Sequence, residues 1–340
     1  MVNTILSETF NRFAERECRG SSDLYEHLSR RISEDEEILE LCGHAREGQP
    51  VPNLLLGSVH YLLLKGYQHS LKDYYPSLTR RPKTHEAAFM PFKEFCREYK
   101  KEILHLLETK LVQTNEVRRC AYLFPAFTYV YEIMNKPLAL IEIGTSAGLQ
   151  LMWDHYSYSY GTGKVYGNVN STVELQAKII GEHGPVLKEE IPPVSHRIGM
   201  DLHINNIADK EDYLWLSALI WPEHEERRQV FEQAAEYVKA SDINLIEGDG
   251  IELLPRTADE IPEEFVVCVF HTHVANQIPV EGKKKLFEEI QRIAAKRDVI
   301  HIYNNMNDRE LHLDYFKNGT EYKNIIGQTE GHGRWFEWQL

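Results

Sequence analysis

Cysteine pairs are missing from this chain: Cys18, Cys42, Cys96, Cys120 and Cys268 are scattered, with no Cys-x-x-Cys spacing. That scatter argues against a disulfide framework and a cysteine zinc site, and the expected setting is a reducing cytoplasm. Long apolar runs are missing too. The longest, Leu54 to Leu64, contains His60 and falls well short of the about 20 residues that cross a bilayer, so no membrane partner is expected. Met1 to Arg19 carries Glu8, Arg12, Glu15, Arg16 and Glu17, without the unbroken apolar core of a signal peptide. Positive charge is in deficit. With 38 Lys and Arg against 52 Asp and Glu, the net charge of −14 argues against nucleic acid as a partner, because such binding neutralises phosphates with basic side chains.

What is present fits a globular protein: 42% hydrophobic and 26% charged residues over 340 positions, enough for two domains. Pro137 to Leu151 organises the rest. Leu138 to Ile143 is a short branched apolar run bounded by Pro137 and Gly144, the pattern of a strand buried on both faces. Small residues from Gly144 to Gly148 follow, then a helical pattern, so that backbone N–H groups and a helix N-terminus are expected to face a ligand. Glu142 at the strand end repels phosphate and suits a cationic or hydroxylated ligand. The Lys-Ser/Thr pair of a phosphate-binding P-loop is absent, which argues against ATP cleavage.

Before this stretch the chain reads as helical. Ile5, Leu6, Phe10 and Phe13 recur at helical spacing, and Ser21-Ser22-Asp23 caps a helix over Leu24 to Ile32. Further helices are expected over Glu34 to Arg46, around Leu54 to Leu64 and over Phe92 to Leu111. His60 reads as a satisfied core histidine. This gives a helical domain at 1–111 and an α/β domain at 112–340. Thr114 or Asn115 is expected to cap a helix running to Met134, with Gln113, Asn115 and Arg118 as pocket-lining candidates. The Tyr and Ser alternation from Tyr156 to Tyr160 starts a β-rich insertion near 156–196, either a substrate flap or a structural cover.

Four more core strands follow, around Arg197 to Leu202, Ile243 to Glu247, Phe265 to Phe270 and Val299 to Tyr303. Asp201 ends the first of them and has the chemistry to accept from vicinal ribose hydroxyls. Gly248-Asp249-Gly250 ends the next, where Asp249 can accept from an adenine amino group or serve as a turn residue. After the third come His271-Thr272-His273-Val274-Ala275-Asn276-Gln277. Ligands of an open parallel sheet bind beyond the carboxyl ends of its strands. His271 is therefore the candidate general base, with Asn276 or Gln277 orienting a substrate. No metal ligand set is assigned, since a third ligand is not apparent near His271 and His273. Asn318-Gly319 marks a hairpin, Gly331 to Trp338 a closing strand, and His332 between glycines can approach a ligand closely.

The strand, Glu-x-Gly-x-x-x-Gly and helix resemble the first motif of class I S-adenosylmethionine-dependent methyltransferases, with Ser146 at a position where that superfamily more often has glycine. As a set, Gln113 to Glu116, Glu142 to Leu149, Gly199 to Asp201, Gly248-Asp249, Phe270-His271 and His332 to Trp335 resemble the bacterial family of domain of unknown function 2332. The resemblance implies a Rossmann-like, mostly parallel sheet behind an all-helical N-terminal domain. The family itself carries no assigned reaction; the likeness to class I methyltransferases implies S-adenosylmethionine as cofactor and methyl transfer to a small-molecule acceptor. Glu142, Gly144, Thr145, Ser146 and Gly148 would hold its methionine part, Asp201 its ribose and Asp249 its adenine. Two alternatives stay open: a non-catalytic cofactor-binding or regulatory protein, and a metal-assisted hydrolase using His271, His273 and His332. Oligomeric state is not readable from the sequence.

Overall fold

The protein, as a computed structural model, is described over residues 2–113 and 116–340; Thr114 and Asn115, the two cap candidates, lie outside the described residues. The chain divides into two compact units, Met1–Thr114 with Ala208–Gln229, and Asn115–Ile207 with Val230–Leu340. The stretch Ala208–Gln229, read from sequence as part of the α/β domain, thus groups with the helical unit. No helix among the described residues is long and apolar enough to cross a membrane.

The first unit is built of helices Val2–Phe13, Asp23–Ile32, Glu36–Cys42, Val51–Leu64, Phe89–Glu98, Lys100–Thr109 and Lys210–Ala218. The Ser22 hydroxyl accepts the Tyr25 N–H at 3.0 Å and the Asp35 carboxylate the Ile38 N–H at 3.1 Å, filling donors that a helix start leaves empty. The periodic run over Phe92 to Leu111 is two helices, because Tyr99 leaves helical geometry at φ −108° and ψ 31°. Helix Val51–Leu64 is buried almost all round, as its apolar residues on every side require. Within it, His60 Nδ1 bonds the Ala218 carbonyl at 2.9 Å and Nε2 the Ser77 hydroxyl at 2.8 Å.

The second unit carries a seven-stranded sheet. Its strands are β1 (Leu138–Ile143), β2 (Val194–Asp201), β3 (Asn244–Glu247), β4 (Val266–His271), β5 (Val299–Tyr303), β6 (Leu311–Lys317) and β7 (Thr320–Gly327). They lie in the order β7-β6-β5-β4-β1-β2-β3. The first five are parallel to one another, while β6 runs antiparallel to both β5 and β7. Asn318 and Gly319 turn the last hairpin at φ 52° and 76°, both in the left-handed region that a two-residue hairpin demands.

Side chains alternate across the strands. Ala139, Ile141, Ile143, Val267, Val269 and Val299 form one apolar face with Leu254 of helix Gly250–Glu260 and Leu286 of helix Val280–Ala294. On the opposite face, Phe127 of helix Cys120–Met134 meets Phe270 edge-on at 5.3 Å between ring centroids. The result is a mixed α/β architecture with helices on both faces of a mostly parallel sheet.

The helical pattern after Gly148 is a 3-10 helix, Leu149–His155, so no α-helix begins at the loop. The insertion forms a small sheet of Ser157–Ser159, Val165–Gly167 and Glu174–Gln176. Its tyrosines are buried: Tyr156 donates to the Leu149 carbonyl at 2.7 Å, Tyr160 to the Ala121 carbonyl at 2.8 Å, and Tyr158 to the Trp153 carbonyl. The insertion is therefore a cover, not an open flap. The C-terminal strand, Trp335–Glu337, pairs in parallel with Lys178–Ile180 and stays outside the main sheet.

Candidate functional site

Strand order reverses at β1, between β2 on one side and β4 on the other. In open sheets that reversal leaves a crevice at the carboxyl ends, where ligands bind. The loop after β1 sits there, with positive φ at Gly144 (77°), Ser146 (53°) and Gly148 (78°). Its amides are bound within the protein: Gly144 and Thr145 donate to the Met200 carbonyl at 2.8 and 3.2 Å, and Gly148 donates to the Thr145 carbonyl at 3.0 Å. Ser146 N–H donates to Asp201 Oδ2 at 2.8 Å. A Cβ on Gly144 would stand 2.5 Å from Val274, so packing as well as backbone geometry demands glycine there.

Two carboxylates flank the loop. Glu142, 3% exposed at the end of β1, accepts the Thr145 hydroxyl at 2.6 Å. Burial pushes its carboxyl up to about 8; the Thr145 hydroxyl and Arg119 oppose this and nearby Asp201 adds to it. Asp201, at the end of β2, is likewise raised by burial, against the Ser146 and His203 amides that favour its charge. Asp249 lies exposed beyond β3, where Oδ1 caps helix Gly250–Glu260 by accepting the Ile251 N–H at 2.8 Å.

Beyond β4 the predicted residues separate. His271 has the parity of Val267 and Val269, which turns it onto the face covered by helix Val280–Ala294. It is fully buried, with Nε2 3.2 Å from His301 Nε2 and Nδ1 without a partner. Burial pushes its pKa down to about 3, aided by Lys283. Asn276 and Gln277 are exposed on the short turn that follows. His273, at φ 64°, donates its N–H to Asn304 Oδ1 at 2.7 Å. His273 Nε2 and Asn304 Nδ2 are buried without partners.

A polar network joins this turn to the start of the unit and to its C-terminus. Thr272 donates to Gln150 Oε1 at 3.1 Å, and Arg119 reaches the Thr272 carbonyl at 3.4 Å and the Gly331 carbonyl at 3.0 Å. Glu116, 3% exposed, meets His332 Nδ1 at 3.0 Å. The Glu330 carboxylate accepts the His332 and Arg334 amides at 3.0 and 3.1 Å. Arg119, Asn304 and Glu330 carry no local signal in the sequence, since each is defined by partners far along the chain. Thr272 and Gln150 stood inside stretches already singled out, without a role.

A cavity of about 420 Å³ lies elsewhere, toward the hairpin edge, lined by Phe287, His301, Tyr303, His312, Asp314 and Lys323 among others. None of the predicted site residues lines it. We place the candidate site at the β1–β4 crevice, where the buried polar groups converge. Among the described residues, Asp308, Glu310 and His312 are the grouping with ligand atoms close enough for a metal, within 4.8 Å; His271, His273 and His332 form no such grouping.

A family model described as an uncharacterized protein conserved in bacteria, domain of unknown function 2332, matches residues 7–338. The chain belongs to this family. No curated protein and no solved structure matches it. The match spans nearly the whole chain, so the domain of unknown function 2332 comprises the helical unit as well as the sheet.

Proposed function

We propose that the sheet unit binds S-adenosylmethionine and transfers its methyl group to a small or medium-sized acceptor. The observation carrying this reading is the pair of carboxylates, Glu142 and Asp201, beside a loop whose amides at Gly144, Thr145, Ser146 and Gly148 are bound within the protein. An anionic pyrophosphate needs those amides. A sulfonium cation and a ribose diol need acceptors instead, and the carboxyl oxygens of Glu142 and Asp201 are of that kind.

Glu142 and the Gly144–Gly148 loop would hold the methionine part, Asp201 the ribose and Asp249 the adenine side. The bound cofactor supplies an electrophilic methyl group. The protein's share is to orient the reactants and keep water out, which supplies much of the rate in a displacement of this kind. Five buried free thiols suit the reducing cytoplasm proposed for it.

Thermal unfolding with S-adenosylmethionine, S-adenosylhomocysteine, NAD and ATP, each added alone, tests the reading. A ligand at about 100 times its dissociation constant adds roughly 2.7 kcal/mol. The two adenosyl compounds are expected to stabilise the protein, and Asp201→Ala to abolish the effect. Stabilisation by NAD or ATP alone would overturn the assignment. Binding without turnover of any acceptor would favour a regulatory module on the same fold.

A further inference from the structure

The terminal turn is built to present one imidazole. Gly333, at φ 74°, lies so close to the Arg118 carbonyl that a Cβ would stand 2.6 Å from it. The Gly333 amide donates to the Glu330 carbonyl at 2.8 Å, and the Glu330 carboxylate takes the His332 and Arg334 amides. Arg119 fixes the Gly331 carbonyl at 3.0 Å. On this frame His332 turns Nδ1 to Glu116 at 3.0 Å; the Glu116 side chain is 4% exposed and that of His332 46%. Glu116 is itself tied to the loop. Its carbonyl accepts Gln150 Nε2 at 3.5 Å, and Gln150 lies two residues past Gly148 and takes the Thr272 hydroxyl.

A buried carboxylate on Nδ1 holds the proton on that nitrogen and leaves a lone pair on Nε2. We infer that Glu116 and His332 form an acid–base dyad at the crevice, in which His332 is the proton acceptor for the reacting group and Glu116 its positioning residue. His271 is excluded from that role by full burial against His301. The step is a proton transfer: the acceptor's X–H bond breaks, its electron pair stays on X as the nucleophile, and the proton joins Nε2. The substrate class follows. It is an acceptor bearing an ionisable O–H, S–H or ammonium N–H, since a group with no proton to lose needs no dyad. The inference rests on the methyl-transfer reading for the ligand that shares the crevice.

The full chain is studied by imidazole ¹⁵N NMR at pH 8, with His332→Asn assigning the signal, and by peptide-mapped carbethoxylation with and without S-adenosylhomocysteine. His332 is expected in the Nδ1–H tautomer, and Glu116→Gln to shift it toward Nε2–H and slow its modification several-fold. With S-adenosylhomocysteine at about 100 times its dissociation constant, modification of His332 should fall at least about tenfold. An Nε2–H tautomer in the native protein overturns the dyad. So does an unprotected His332 when S-adenosylhomocysteine binds, the result expected if the pair only anchors the turn. Failure of S-adenosylhomocysteine to bind sinks the cofactor reading instead, and the tautomer then decides the dyad alone.

Discussion

His60 in the helical unit and Glu142, Asn304 and the Nε2 atom of His273 in the sheet unit are buried and polar, yet they are treated in opposite ways. His60 has a partner on each ring nitrogen, and burial pushes its pKa down to about 3, so it stays neutral. In the sheet unit, His273 Nε2 and Asn304 Nδ2 are buried without partners, and Glu142 is held protonated at neutral pH with a hydroxyl for company. A buried polar group left incomplete costs stability. The contrast sets a histidine completed on both ring nitrogens against a crevice whose polar groups stay open.

The largest expected effect tests whether the loop is shaped by packing. Gly144→Ala puts a Cβ into a left-handed backbone and 2.5 Å from Val274, which should cost about 3–4 kcal/mol. Val274→Ala in the same chain should recover part of it, measured by urea unfolding as a double-mutant cycle. Strict additivity would mean that Val274 has nothing to do with the glycine.

Next comes the pH dependence of Glu142. Its carboxyl titrates near 4.5 when unfolded and at about 8 when folded. Between those values the native state holds a proton that the unfolded chain releases, so stability is fullest below 4.5, falls as pH rises toward 8, and is level above. Glu142→Gln has no proton to lose. Its stability should stay flat through that window, so that its advantage over wild type grows steadily from pH 5 to 8.5. A cation beside the carboxyl draws the proton off, so affinity for S-adenosylmethionine should rise from pH 6 to 8 relative to neutral S-adenosylhomocysteine. Parallel stability curves for the two proteins would show that Glu142 is charged throughout.

On the helical side, His60→Leu should cost about 2 kcal/mol by stranding the Ala218 carbonyl and the Ser77 hydroxyl. It should leave S-adenosylhomocysteine affinity unchanged. Equal losses of binding in His60→Leu and Asp201→Ala would erase the distinction between the two regions.

How far the sequence disclosed this arrangement depended on range. Leu138 to Ile143 reads as a buried strand because its apolar run is local, and Asn318-Gly319 reads as a hairpin because two adjacent residues set its backbone. The side of the sheet taken by His271 was also available, from its parity with Val267 and Val269. What stayed hidden is set by distance along the chain. Glu116 meets His332 across 216 positions and Arg119 meets Gly331 across 212, and no periodicity encodes such a meeting. The 3-10 helix after Gly148 was hidden for another reason: Leu149, Leu151 and Trp153 are as apolar as an α-helix would need, and a 3-10 turn in such a run leaves little trace.

The smallest effect concerns Ser146, the residue that departs from the commoner glycine. At φ 53° a side chain is strained, so Ser146→Gly should relieve about 1 kcal/mol. Against this, glycine adds freedom to the unfolded chain, worth 0.4 to about 1 kcal/mol. The variant also loses the hydroxyl that accepts Asn205 Nδ2 at 3.0 Å, a bond worth about 1 kcal/mol. The balance is a destabilisation below about 1 kcal/mol, read by urea unfolding, with ligand affinity unchanged. Ser146 would then be a tether that fixes the loop to Asn205 at little cost. A tenfold gain in S-adenosylhomocysteine affinity in Ser146→Gly would mean instead that the serine obstructs the crevice, and that the two carboxylates beside it are held apart from their ligand.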